Sequence, residues 1–149
     1  MNQDFLDLLR SFADHSVRFM VVGAYALGLH GRPRATGDLD VWIDATPENA
    51  DRVWAALRTF GAPLSGLSPA DLSSPGIVFQ IGVVPGRIDI LTQLTGLLFD
   101  DAWPSRVHAR FGPIEVDFIG RDAFISNKLA TGRDKDRVDV ESLQSGPVQ

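Results

Sequence analysis

The sequence predicts an α+β domain, with a mixed β-sheet and helices packed on it. Three observations carry that expectation. Strand-like and helix-like stretches interleave through the first 91 residues, and a hairpin pattern follows late, across Gly112-Pro113. The chain has 149 residues, a length that suits one domain with one core. Its apolar fraction of 44% and charged fraction of 22% are ordinary for a globular protein and speak against disorder. The domain is expected to span 1–143, leaving 144–149 as a frayed Ser-Gly-Pro tail.

The elements are read in order. Phe5, Leu8, Leu9 and Phe12 recur at helical spacing and predict a helix over 3–14. Residues 18–22 form a short buried strand that ends at Gly23. A short helix over 24–29 follows, closed by Gly31. Pro33 then imposes an extended stretch, and 38–43 is a second strand. Thr46 caps the next helix and Pro47 takes its first position. Asp51, Val53, Trp54, Leu57 and Phe60 continue that helix, and Gly61 stops it. Residues 62–76 are rich in Pro, Ser and Gly and read as a loop, with one helical turn after Ser68. Strands are expected at 77–81 and 87–91, the second entered through Pro85-Gly86. The stretch 92–104 fits neither pattern. The late hairpin pairs 108–111 with 114–119, and two helical patterns close the chain near 122–130 and 135–143.

Composition excludes several classes. The chain has no cysteine, so disulfides, thiolate zinc sites and cysteine nucleophiles are all absent. No segment approaches the ~18 consecutive apolar residues that span a bilayer. The start, MNQDFLDLLRSF, lacks a basic region and a cleavage site, so a cytoplasmic location away from membranes is expected. The net charge of −5 disfavours coating of nucleic acid. Basic residues do gather locally, at Arg32 and Arg34 and at Arg133, Lys135 and Arg137.

Asp38 and Asp40 lie two apart on a predicted strand, so both carboxylates point to one face. Leu39, Val41 and Ile43 point to the other, into the core. Two like charges so placed repel unless water or a cation lies between them, and Mg²⁺ prefers hard carboxylate oxygens together with substrate phosphates. Chance alone supplies on the order of one or two Asp-x-Asp pairs in such a chain. Asp134-Lys135-Asp136 is another, read as a solvated helix end. Asp89, in Arg-Ile-Asp-Ile-Leu, is a lone acid in an apolar strand, costly to bury unless paired or holding a cation. Asp117, in Glu-Val-Asp-Phe-Ile, has the same form, with the polar side of an edge hairpin strand as its simpler explanation.

Gly23 follows the apolar run Phe19-Met20-Val21-Val22 and opens a short helix. Backbone N–H groups at such a junction can face an anion. The chain from Gly23 through Arg32 and Arg34 can return Asp38 beside that turn, with either arginine adding a charge-assisted contact or standing solvated in a loop. Trp42 shares the face of Asp40 and either stacks a base or covers the sheet. His30 precedes a glycine at a helix end, where capping is its usual role. The absence of His-x-x-x-His, His-Asp and Gly-x-Ser-x-Gly patterns weakens hydrolase readings.

The stretch Val22-Gly23-Ala24-Tyr25-Ala26-Leu27, followed by His30-Gly31-Arg32-Pro33-Arg34-Ala35-Thr36-Gly37-Asp38-Leu39-Asp40-Val41, resembles the signature of the nucleotidyltransferase superfamily with the DNA polymerase beta-like fold. Arg-Ile-Asp-Ile-Leu resembles that family's third acidic strand. The segment from Asn127 to Val140 is similar to the tail of small bacterial members related to abortive-infection toxin nucleotidyltransferases. The resemblance implies transfer of a nucleoside monophosphate from a nucleoside triphosphate to an acceptor hydroxyl. It implies that Gly23 and Ala24 hold the triphosphate, joined by Arg34, Thr36 and Lys128. Asp38, Asp40 and Asp89 would be both catalytic and ligands to Mg²⁺ or Mn²⁺. It leaves the acceptor open among RNA, protein and a small molecule, and allows a homodimer or a partner protein. The sequence departs from the signature at Ala24, where a second glycine or a serine is usual. Alanine keeps the backbone N–H but offers no hydroxyl to a phosphate. The alternative is therefore an inactive nucleotide- or partner-binding module of the same fold, such as one half of a toxin–antitoxin pair.

Overall fold

The computed structural model describes residues 2–31 and 37–144. The expectations for Pro33, Arg34, Thr36 and the tail beyond Gln144 lie outside the described residues. The first helix, α1 (Gln3–Asp14), starts where the Asn2 side chain accepts from the N–H groups of Asp4 and Phe5. Strand β1 (Phe19–Val22) is buried on both faces, which is why it reads as an unbroken apolar run. Helix α2 (Gly23–Leu29) follows without a linker, and β2 (Leu39–Ile43) returns beside β1. Helix α3 (Pro47–Phe60) is bounded as its sequence dictates, by the Thr46 hydroxyl at one end and Gly61 at φ 92° at the other.

The loop after α3 contains the expected turn of 3₁₀ helix, Asp71–Ser73. Strands β3 (Val78–Ile81) and β4 (Ile88–Leu91) make an antiparallel pair. The stretch that fitted neither pattern forms an isolated bridge between Leu94 and Leu97, the four-residue helix α4 (Phe99–Ala102) and a 3₁₀ turn at Trp103–Ser105. Strands β5 (Val107–Phe111) and β6 (Ile114–Phe118) are the late hairpin, and α5 (Arg121–Thr131) and α6 (Asp134–Gln144) end the described chain.

All six strands join one sheet in the order β3-β4-β2-β1-β6-β5. The sheet is mixed, because β2 pairs with β4 and β1 with β6 in parallel, while the other neighbours are antiparallel. The fold class is the α+β arrangement that the interleaved pattern predicts. Register separates the two faces. Phe19 opposes Ile43 and Val21 opposes Val41, and Phe12 of α1 meets Phe19 edge to face at 5.3 Å, so α1 covers this side. The Ser11 hydroxyl donates to the Ala56 carbonyl at 2.7 Å and ties α1 to α3. The other face carries Asp40 and Trp42 of β2 and Asp89 and Leu91 of β4. Trp42 is 1% exposed and packs edge to face on Phe99 at 5.1 Å. It covers the sheet and is closed to base stacking. Among the described residues no helix is long and apolar enough to cross a membrane.

Each strand differs from expectation by one end residue: Arg18, Asp38, Ile77, Arg87 and Ile119 fall outside theirs, and Val107 joins β5. Arg18 lies outside β1, where its backbone N–H donates to Asn49 Oδ1 at 2.7 Å and its carbonyl accepts from Asn49 Nδ2 at 3.0 Å, while its guanidinium pairs with Asp44 at 3.0 Å. Asp38 lies one residue before β2, where its Oδ1 accepts the Arg87 backbone N–H at 3.1 Å.

Candidate active site

The site is built where β1 gives way to α2. Val22 opposes Asp40 across the sheet, and the next residue, Gly23, turns at φ 68°. A Cβ built on Gly23 would lie 2.2 Å from Asp40 Oδ2. Glycine is thus demanded twice, by the left-handed backbone and by the approach of the carboxylate. Gly23→Ala is expected to lower the unfolding free energy by about 1–2 kcal/mol from backbone strain alone. Displacement of Asp40 adds to that loss, and thermal denaturation measures the sum. An unchanged midpoint would refute the close approach.

Asp40 and Asp89 are register partners on adjacent parallel strands, with backbones about 5 Å apart. Burial first, and then the charge and a hydrogen bond of Asp89, push the Asp40 carboxyl up to about 6; Asp38 adds to the rise and Lys128 opposes it. Arg87 is bound to the same acids. Its Nε and a terminal nitrogen donate to the two oxygens of Asp89 at 2.8 and 3.1 Å, and its guanidinium reaches within 4.0 Å of Asp38. Among the described residues, no three His, Cys, Asp or Glu side chains converge closely enough to make a metal cage as they stand.

The facing wall comes from the two last helices. Lys128 of α5, Arg133 of the connection and Lys135 and Asp139 of α6 line a cavity of about 340 Å³ with Gly23, Ala24, Asp38, Asp40, Arg87 and Asp89. Asp136 lies behind that wall and is wholly buried. It accepts from the Thr131 hydroxyl at 2.6 Å and from Arg133 Nε at 2.7 Å, and Lys128 Nζ lies 3.4 Å away. This corrects the solvated-cap reading of Asp134-Lys135-Asp136. Asp134 is solvated, with its side chain 97% exposed, but Asp136 two residues on turns inward toward three donors.

The cavity brings together Gly23, Ala24, Asp38, Asp40, Asp89 and Lys128. Arg34 and Thr36 lie outside the described residues. Asp117 is elsewhere: on β6, it accepts from His108 Nδ1 at 2.9 Å and pairs with Arg106 at 3.4 Å. His30 is structural, with Nε2 2.8 Å from the Ile119 carbonyl. Arg87 is the site residue that motif reading passed over. Alternation was the available signal, because Arg87, just before β4, stands two residues from Asp89 within it.

No protein-family model and no curated protein matches this sequence. Solved structures of similar fold include two nucleotidyltransferase-like proteins. One is the lincosamide antibiotic adenylyltransferase LnuA with lincomycin bound, at TM-score 0.60 and 15% identity, covering 97% of both chains. The other is a Thermotoga maritima protein provisionally titled a nucleotidyltransferase, at TM-score 0.60 and 14% identity, covering 97% of this chain and 96% of that one. The chain has the nucleotidyltransferase fold.

Proposed function

We propose that this chain is a metal-dependent nucleotidyltransferase that moves a nucleoside monophosphate from a nucleoside triphosphate to an acceptor hydroxyl. The observation that carries the reading is the in-register pair Asp40 and Asp89, held against a glycine turn whose missing side chain makes room for Asp40. The donor set fits a divalent ion. Three hard carboxylates border one cavity, and the Asp40 carboxyl, pushed up to about 6 by burial and Asp89, is a site where added positive charge is favoured. Asp38, Asp40 and Asp89 would hold Mg²⁺ or Mn²⁺. When bound, such an ion neutralises phosphate charge and polarises the attacking and leaving oxygens.

The remaining roles belong to the chain itself. The backbone at Gly23 and Ala24 borders the cavity at the first turn of α2, where N–H groups lack carbonyl partners within the helix. These groups would bind phosphate, and Ala24 would keep its backbone N–H contact without the hydroxyl contact that a serine adds. Lys128, Arg133 and Lys135 present positive charge from the facing wall. Asp89 completes the ion's ligand set or accepts the proton of the attacking hydroxyl on a carboxylate oxygen. The acceptor oxygen bonds to the α-phosphorus, the α–β bridge breaks, and pyrophosphate leaves.

The lincosamide adenylyltransferase is matched over nearly its whole length and has lincomycin bound. This likeness supports placing small hydroxylated molecules first as acceptors here, ahead of RNA and protein. The test is label transfer from each of the four nucleoside triphosphates with Mg²⁺, onto a panel of small hydroxylated compounds and onto cell extract. Transfer lost in Asp40→Ala is expected. Nucleotide binding without transfer onto any acceptor would instead favour the inactive binding module.

A further inference from the structure

We propose that Arg87 is a resident counter-cation, which closes the acidic pair to a free divalent ion and yields it only when a triphosphate arrives. This rests on the nucleotidyl-transfer reading of the same cavity and adds to it an order of binding. The geometry is specific. Arg87 engages both oxygens of Asp89, at 2.8 and 3.1 Å, through two nitrogens of one guanidinium. Its backbone N–H holds Asp38 Oδ1 at 3.1 Å, and its terminal nitrogen lies 4.0 Å from Asp38 Oδ2. One residue thus ties down two of the three carboxylates.

A divalent ion that takes an Asp89 oxygen must compete with the Arg87 fork, which already engages both oxygens. Sharing the site would also set a guanidinium beside a dication. That repulsion favours departure of the Arg87 fork when the ion binds. The side chain can leave, because it is 29% exposed at the cavity margin and is held by its head group. Among the described residues no second partner engages it equally, and a planar fork is best met by a carboxylate or a phosphate. A triphosphate in this cavity supplies anionic oxygens to meet it. The fork moves to phosphate, Asp89 is released, and the ion enters with the nucleotide. Coupling of this kind is reciprocal, so nucleotide and ion each tighten the other.

The test is Mn²⁺ binding, read by electron paramagnetic resonance and calorimetry, on wild type, Arg87→Gln and Arg87→Lys. Each protein is titrated with Mn²⁺ alone and with a non-hydrolysable triphosphate analogue present. Circular dichroism establishes that the variants are folded. In wild type, the analogue is expected to tighten Mn²⁺ by about tenfold or more. Arg87→Gln is expected to bind Mn²⁺ alone about tenfold more tightly than wild type, with the analogue's enhancement smaller than in wild type by about the same factor. Arg87→Lys keeps the charge but loses the fork and should fall between them. Equal affinity of wild type and Arg87→Gln for Mn²⁺ alone, or weaker binding by the variant, overturns the proposal while leaving the transfer reading intact. Absence of Mn²⁺ binding by every protein, even with the analogue, overturns both.

Discussion

Asp40→Asn is expected to abolish nucleotidyl transfer and, at the same time, to make the ion-free protein more stable at neutral pH. The two effects share one cause. Asp40 is half-buried beside a second carboxylate, and burial followed by the charge of Asp89 raises its carboxyl to about 6. In the unfolded chain the same group titrates near 4. A gap of about two units corresponds to roughly 2–3 kcal/mol of differential stability. Because the folded value is the higher one, the unfolded chain gives up its proton first as pH rises. Asp40 therefore favours the folded state least above pH 6, and its contribution declines between about pH 4 and 6. An amide carries no charge to penalise. The stability of Asp40→Asn relative to wild type should grow across that window and level off above it. Denaturant unfolding of both proteins at a series of pH values measures the difference, and a gap that does not change with pH would show that Asp40 is not strained by its neighbours.

The loss of activity is the larger effect. An ion ligand that supplies several kcal/mol of charge stabilisation in the transition state is worth about a thousandfold in rate. Mg²⁺ with a nucleotide should also raise the melting temperature of wild type, because the ion offsets the repulsion between Asp40 and Asp89, and should raise that of Asp40→Asn far less. A variant that is more stable and inactive separates a functional acid from a structural one, since a structural acid would lose stability when neutralised.

Much of this site was legible because it obeys local rules. Alternation places Asp40 and Asp89 opposite the apolar residues of their strands, and a lone acid in Arg-Ile-Asp-Ile-Leu signals a cost that something must offset. The Thr46-Pro47 start and Gly61 stop of α3 are equally local. What stayed hidden depends on contacts distant in sequence. Nothing near Asp40 announces that β4, almost fifty residues on, pairs beside it in parallel and in register with Asp89. Arg87 carried no motif of its own, because its importance lies in reaching both Asp38 and Asp89. Trp42 shared the face of Asp40, yet Phe99, from a stretch with no clear pattern, covers it. Asp136 was misread because Asp-Lys-Asp at a helix start has the composition of a solvated cap. Its burial comes from the turn at Gly132, φ 68°, which folds α6 back along α5 and brings Thr131 and Lys128 to it.

Asp136→Asn is expected to cost about 3 kcal/mol or more, the range found when one member of a buried ion pair is removed. Asp136 has no exposed surface, and burial alone would raise its carboxyl. The hydrogen bonds from Thr131 and Arg133, with the charges of Lys128 and Arg133, outweigh burial and hold it below the usual carboxylate range. The buried form is therefore the anion at neutral pH. An amide in its place turns N–H groups toward donors and leaves Lys128, only 14% exposed, without its counter-charge. For a domain of this size the loss corresponds to a fall in melting temperature of about 10 °C. Wild type should lose the same contribution as pH falls below about 4, because the folded value lies under the unfolded one. Activity reports the second consequence. Asp136 touches neither the cavity nor the proposed nucleotide, but it holds Lys128 and Arg133 in the cavity wall. Its loss should raise KM for the nucleoside triphosphate by about tenfold, the scale of a supporting residue behind a binding group, and change kcat less. Assays run well below the lowered melting temperature separate this from unfolding. A variant with an unchanged melting temperature would show that the buried carboxylate contributes no net stability. A lowered melting temperature with unchanged KM would show that Lys128 and Arg133 need no anchor to meet the nucleotide.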